Sequence, residues 1–202
     1  MSEFRSPYPS YDVLDKWDSP SWNDQTREAV GRRLDDVPKR HFLTAEQWSL
    51  LEAIVARLMP QPDREEPVPI VPWIDDRLQK DRRPGYRYAG MPPMREAWTA
   101  GLAAIAAECI DRFGKPFEEL SSEDQDGYLT TIQNGEVSSQ FWSDMPVQCF
   151  FSELLLKDVL EIYYSHPWAW SEIAFGGPAS PRGYFRTGFN ERDPWEAEAA
   201  DV

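Results

Sequence analysis

"MREAWTAGLAAIAAECIDRFGKP", Met94 to Pro116, decides the fold class. Met94, Trp98, Gly101, Leu102, Ile105, Cys109 and Phe113 recur three and four positions apart, which is the spacing of one apolar face on an α-helix. Gly114 and Pro116 supply the stop. The stretch is therefore predicted as a five-turn helix with one face against a core.

The same period appears on both sides. Thr44 and Gln47 have capping-box spacing ahead of Trp48, Leu51, Val55 and Leu58, and Pro60 and Pro62 end that run. A short helix is predicted from Pro72 to Lys80, with Ile74 and Leu78 on one side. Ser122 and Gln125 repeat the capping-box spacing before Tyr128, Leu129 and Ile132. Asp144 and Pro146 open a last helix whose stripe, Phe151, Leu155, Val159 and Ile162, runs as far as Ser165. No segment alternates as a strand does, and no period of 20 to 50 residues repeats. The predicted class is all-α: a small helical bundle with long irregular, aromatic and Pro-rich N- and C-terminal arms.

Three segments follow from this pattern. Residues 1–40 form an extended arm whose rings, Tyr8, Tyr11, Trp17 and Trp22, lie among Pro, Ser and Asp, with a short helix over Asn23 to Leu34. Such an arm has no core of its own and is expected to order along a partner or along the bundle. Residues 41–165 are the bundle, and residues 166–202 are an irregular clamp with an acidic tail.

Composition excludes several function classes. A net charge of −14 argues against a nucleic-acid backbone or an anionic membrane as partner, since both require clustered Lys and Arg. No run of 18 apolar residues exists and the N-terminus has no apolar leader, so neither membrane insertion nor a signal peptide is expected. The expected location is the cytoplasm. Between Lys115 and Lys157 there is no Lys or Arg and there are eight Asp or Glu residues, which reads as a solvated acidic face or a surface for a basic protein.

Catalytic chemistry is sparsely supplied. His41 and His166 each lie near a helix boundary, where a capping or surface role is common. Cys109 and Cys149 sit inside apolar helical patterns, form no CxxC, and have no basic neighbour in sequence to activate them, so they read as two buried thiols. The carboxylates Asp75, Asp76, Glu118, Glu119, Glu123, Asp124 and Asp126 show neither Glu-x-x-His nor EF-hand spacing. "GGPASPRG", Gly176 to Gly183, lacks the strand, helix and Lys-Ser/Thr pair of a phosphate loop, and its prolines remove N–H donors. No catalytic, cofactor-binding or metal-ligating residue is expected in this chain. An alternative is a self-contained helical enzyme using His166 with a nearby carboxylate such as Glu172.

What the chain does supply is rings outside its helices. Tyr163 to Phe189 holds eight aromatic residues among glycines and prolines, with almost no periodicity. Pro restricts φ and Gly allows close approach, so such a segment docks its rings at little entropic cost. Part of that area is expected to lie on the chain's own helices. The rest suits a protein interface, and the candidate contact residues are Tyr8, Tyr11, Trp17, Trp22, His166, Trp168, Trp170, Phe175, Arg182, Tyr184 and Phe189. Read as extended chain, Trp168 and Trp170 point to opposite sides, one to the bundle and one to the partner.

These residues resemble a known family. "FLTAEQWSLLEAIVARLMP", the later "IDDRL", and above all the tail "YYSHPWAWSEIAFGGPASPRGY" with its His-Pro-x-x-Trp and Gly-Pro-x-x-Pro-x-Gly-Tyr pattern are similar to the gluconate 2-dehydrogenase subunit 3 family over roughly Phe42 to Phe189. The resemblance implies a non-catalytic small subunit that binds a large flavoprotein of the glucose-methanol-choline type. That partner holds FAD and oxidises a sugar or glycoside hydroxyl. Members of the family commonly carry a twin-arginine export signal. Here Arg32-Arg33 precedes "LDDVPKR", with no apolar stretch, which favours a cytoplasmic complex.

Overall fold

The computed structural model describes residues 6–62, 65–82, 85–142, 145–179, 183, 185–186 and 188–200. Among them the secondary structure is helical with no β-strand, as the periodicity predicts. In chain order the α-helices are α1 (Asp24–Asp35), α2 (Ala45–Leu58), α3 (Ile70–Gln79), α4 (Met94–Phe113), α5 (Ser122–Asn134), α6 (Ser139–Trp142), α7 (Val147–Cys149), α8 (Lys157–Ser165) and α9 (Pro167–Glu172). A π-helical stretch, Phe150–Leu156, joins α7 to α8.

The predicted ends have identifiable physical causes. Thr44 and Gln47 form a complete capping box at α2, each side chain bonded to the other's backbone N–H. Gly114 ends α4 in the left-handed region at φ 69°, a conformation that costs other residues a clash of Cβ with the backbone. At α5 the cap is Ser121 rather than Ser122, its hydroxyl accepting from the Asp124 N–H at 3.2 Å. That one-residue shift leaves Gln125 inside, where its amide donates to the Phe117 carbonyl at 2.9 Å. Helix α3 begins at Ile70, ahead of the predicted Pro72, because a proline in the first turn forfeits no intrahelical bond.

The last predicted helix is one helical run from Val147 to Ser165 with Pro146 as its cap, but its middle is widened into π geometry. Asp144 lies outside the described residues. The tail departs further from its sequence reading. His166 caps α9 and Pro167 opens it, so Trp168 and Trp170 stand on a helix and not on extended chain.

The chain divides into two compact units, residues 38–162 and residues 1–37 with 163–202. In the first, α2 packs on α3, α4 and α5, around the fully buried Leu51, Ile54, Ile74, Trp98, Ile105 and Phe150. Two buried carboxylates tie its loops to this core. Asp75 accepts from the backbone N–H groups of His41, Phe42 and Leu43 at 2.6, 3.0 and 2.7 Å. Glu108 accepts from Tyr128 Oη at 3.1 Å, Ser138 N at 2.8 Å and Trp142 Nε1 at 2.8 Å. Both acids therefore act as hydrogen-bond acceptors that organise chain segments lacking helical partners.

Candidate partner interface

Residues 1–37 and 163–202 make a unit of their own. Val13, Trp22, Val30 and Trp170 form its core, with Tyr11, Leu14, Trp17 and Leu34 packed around them. An arm without an apolar period thus obtains a core from the other end of the chain. Residue types explain the local turns. Asp12 caps a 3-10 turn at Val13–Lys16 through the Leu14 N–H, and Asn23 caps α1 through the Thr26 N–H. Arg27 then ties the intervening loop down by donating to the carbonyls of Trp17 and Trp22 at 2.9 and 2.8 Å.

Three further bonds join arm to tail. Val13 N donates to Ser171 Oγ at 3.1 Å, Ser6 Oγ donates to the Glu172 carbonyl at 2.7 Å, and Arg33 Nη1 donates to the Ser165 carbonyl at 2.6 Å. Ser165 ends α8, so the guanidinium sits at the negative pole of that helix. Its carbon also lies 5.5 Å from the Trp170 ring centroid, and burial pulls its pKa below the usual guanidinium value.

Trp170 is the centre of the tail and only 3% exposed. Its Nε1 donates to the Tyr164 carbonyl at 2.6 Å, and its ring meets Phe175 edge to face at 5.6 Å. Gly177 passes so close that a Cβ there would stand 2.9 Å from the Trp170 ring and 3.3 Å from Trp22, and its φ of 65° is itself unfavourable to other residues.

The candidate contact residues divide by exposure. Trp22, Trp170 and His166 are buried, with the Nδ1 of His166 accepting from the Trp168 N–H at 3.4 Å as the α9 cap. Tyr8, Tyr11, Trp17 and Trp168 are half-buried, whereas Phe175 is exposed and Phe189 is 99% exposed. Arg182 and Tyr184 lie outside the described residues. Sequence reasoning did not single out Tyr164, Ile173 and Phe185 among the exposed apolar residues. The only available signal was ring density, which marks a segment but not which side of α9 each ring takes.

The arm and tail also bound a cleft of about 470 Å³, lined among others by Tyr8, Tyr11, Lys16, Arg186, Arg192 and Trp195. Burial, followed by Asp12, Asp15 and Glu196, raises the Tyr11 pKa and keeps its hydroxyl a donor. Arg186 is bonded to Glu196, which also lines the cleft, at 3.1 Å, and Arg192 reaches Glu198 at 4.0 Å.

Cysteine reactivity is low. Cys109 is buried, and that burial, with Glu108 and Glu118 adding to it, pushes its thiol up to about 12; Cys149 is half-buried and also raised. No group of three or more His, Cys, Asp or Glu side chains suited to a metal ion occurs among the described residues. No helix among them is long and apolar enough to cross a membrane.

The model of the gluconate 2-dehydrogenase subunit 3 family matches residues 45–177. The chain belongs to that family. The match takes in α2 through α9 and ends at Gly177, so the arm and the segment from Pro178 onward lie outside it. The family's segment therefore contributes Trp170, and residues outside the match contribute Val13, Trp22 and Val30, to one shared core. No curated protein and no solved structure matches the chain.

Proposed function

We propose that this chain is a non-catalytic small subunit that binds and stabilises a large FAD-containing oxidoreductase of the glucose-methanol-choline type, which oxidises a sugar or glycoside hydroxyl. The flavin and the hydride chemistry belong to the partner. The observation that carries the reading is family membership over residues 45–177. Large apolar side chains left on the surface of an ordered tail support it, since such groups are what a subunit interface covers. The reading takes the complex to be cytoplasmic.

Co-expression with the candidate flavoprotein tests the proposal. The expected result is a complex that co-elutes with flavin absorbance and sugar-dependent dye reduction, while the isolated chain shows neither. Turnover by the isolated chain, or separate elution of two stable proteins, overturns it.

A further inference from the structure

We propose that the cleft between arm and tail binds a small organic monoanion, a carboxylate on a flat apolar body, and that Lys16 and Tyr11 receive the carboxylate. The cleft lies within the unit of residues 1–37 and 163–202, and the proposal stands independently of the subunit reading above.

The floor of the cleft is polar and lies inside the protein. Lys16, Ser21 and Asp193 all line it and are only 3, 1 and 4% exposed. Lysine is among the side chains least often found so deep, and here a local turn takes it there, since Lys16 is the last residue of the 3-10 turn that Asp12 caps. Its ammonium lies 5.5 Å from the Trp22 ring centroid. A Cβ on Gly176 would stand 3.1 Å from Lys16 Nζ and 4.0 Å from Tyr11 Oη. The two groups therefore converge on a stretch of wall, Gly176 and Gly177, that carries no side chain. Burial raises the Tyr11 pKa, so its hydroxyl keeps its proton and can donate. An ammonium and a phenol that converge on one place are matched donors for the two oxygens of a carboxylate.

Charge selects the ligand. Lys16, Arg186 and Arg192 line the cleft against Asp193 and Glu196, one more cation than carboxylates, in a chain whose net charge is −14. A neutral molecule leaves that excess unused, and a dianion is repelled by the two acids at close range, so a single negative charge fits. Shape selects the rest. A volume of about 470 Å³ is that of a small-molecule site, and the rings of Tyr8, Tyr11 and Trp195 among the lining residues offer flat apolar faces to the body of the ligand. Among the described lining residues, only Ala174, Gly176 and Gly177 fall within the family segment 45–177. The donors, the acids and the rings all come from outside it. The site is therefore an addition made by the two ends of this chain.

The test titrates the full chain with benzoate, benzyl alcohol and inorganic phosphate at constant ionic strength, following the indole N–H signals of Trp22 and Trp195 by nuclear magnetic resonance. Benzoate is expected to shift both signals saturably with a Kd of about 1 mM or tighter, and benzyl alcohol and phosphate to bind about tenfold more weakly or worse. Lys16→Met is expected to abolish benzoate binding. Because a buried lysine can also matter for folding, two milder variants accompany it. Gly176→Ala crowds the Lys16 ammonium at a backbone position outside the left-handed region, and Tyr11→Phe removes only the hydroxyl. Each is expected to raise the benzoate Kd about fivefold while the other indole signals stay in place. Absence of any benzoate shift up to about 20 mM overturns the proposal. Equal binding of benzyl alcohol makes the cleft an apolar slot, and equal or tighter binding of phosphate makes it a general anion site, and either result overturns it as well. An unchanged benzoate Kd in both Gly176→Ala and Tyr11→Phe removes the roles assigned to Lys16 and Tyr11, and the proposal with them.

Discussion

Gly101 on α4 faces the ring of Phe150 so closely that a Cβ on the glycine would run into Cζ, Cε2 and Cε1 of that ring. Phe150 is fully buried and also meets Trp98 at 6.0 Å and Trp142 at 5.7 Å, so it has no room to retreat. Gly101→Ala improves helix propensity by about 1 kcal/mol, but overpacking a filled core costs about 1–3 kcal/mol. The melting temperature is expected to fall by several degrees, with partial recovery in Gly101→Ala/Phe150→Leu. A rise in melting temperature for the single variant contradicts the packing described.

The two buried carboxylates are predicted to be structural. Asp75→Ala strands the buried N–H of Leu43 and removes the acceptor of the part-buried His41 and Phe42 N–H groups, and an unpaired buried donor costs about 1–3 kcal/mol. Glu108→Ala strands Trp142 Nε1, Tyr128 Oη and Ser138 N. Each variant is expected to lose about 3 kcal/mol or more of unfolding free energy in urea. Asp75→Asn should lose less, since its amide keeps one acceptor oxygen. Full stability in either alanine variant removes the role assigned.

How much of this was legible in the sequence depends on what fixed each part. Helices α2, α4 and α5 follow from local rules, an apolar period with Thr44 or Gly114 at an end of the first two, and so were readable, although the α5 cap falls on Ser121 and not on the predicted Ser122. The widened turn at Phe150–Leu156 was not, because the apolar period through Phe151, Leu155 and Val159 is the same in α and π geometry over so short a run. Helix α9 was hidden by the glycines and prolines that follow it, although His166-Pro167 is a legitimate cap and first position. The shared core of Val13, Trp22, Val30 and Trp170 joins residues more than 130 positions apart, and no local pattern specifies such a pairing. For the candidate interface, ring density found the segment, and burial was needed to separate the supporting Trp170 from the presented Phe175.

Asp158 gives the unit 38–162 a pH dependence. It is bonded to Arg77, which also reaches Glu161 at 3.2 Å, but its Oδ2 is buried with no hydrogen-bond partner. Burial outweighs the Arg77 attraction and raises its pKa to about 6 from the ordinary 3.8. A carboxyl raised in the folded state binds its proton there more tightly than in the unfolded chain. Its contribution is full below about pH 4 and is lost as pH rises through about 6, a change on the order of 3 kcal/mol. Asp158→Asn mimics the neutral form and removes the titration. The difference in stability between Asp158→Asn and wild type should therefore shift in favour of the variant between pH 4 and pH 7. Parallel stability profiles over that range show that Asp158 does not titrate there.

The last prediction separates support from contact in the tail. Trp168 and Trp170 are neighbours on α9, but Trp170 is 3% exposed and holds Tyr164, Phe175 and Gly177, while Trp168 is half-buried with its ring 4.6 Å from that of His166. Trp170→Ala removes a core indole and is expected to cost about 3–5 kcal/mol of folding stability, lowering the melting temperature of the isolated chain. Trp168→Ala should cost much less stability and, on the subunit reading, weaken the complex by about 2 kcal/mol, roughly thirtyfold in Kd. Thermal melts of the isolated chain and binding to the catalytic subunit read the two effects independently. If both variants lower the melting temperature and neither changes Kd beyond the loss of folded protein, the tail serves only as the chain's own lid and the docking role assigned to it falls.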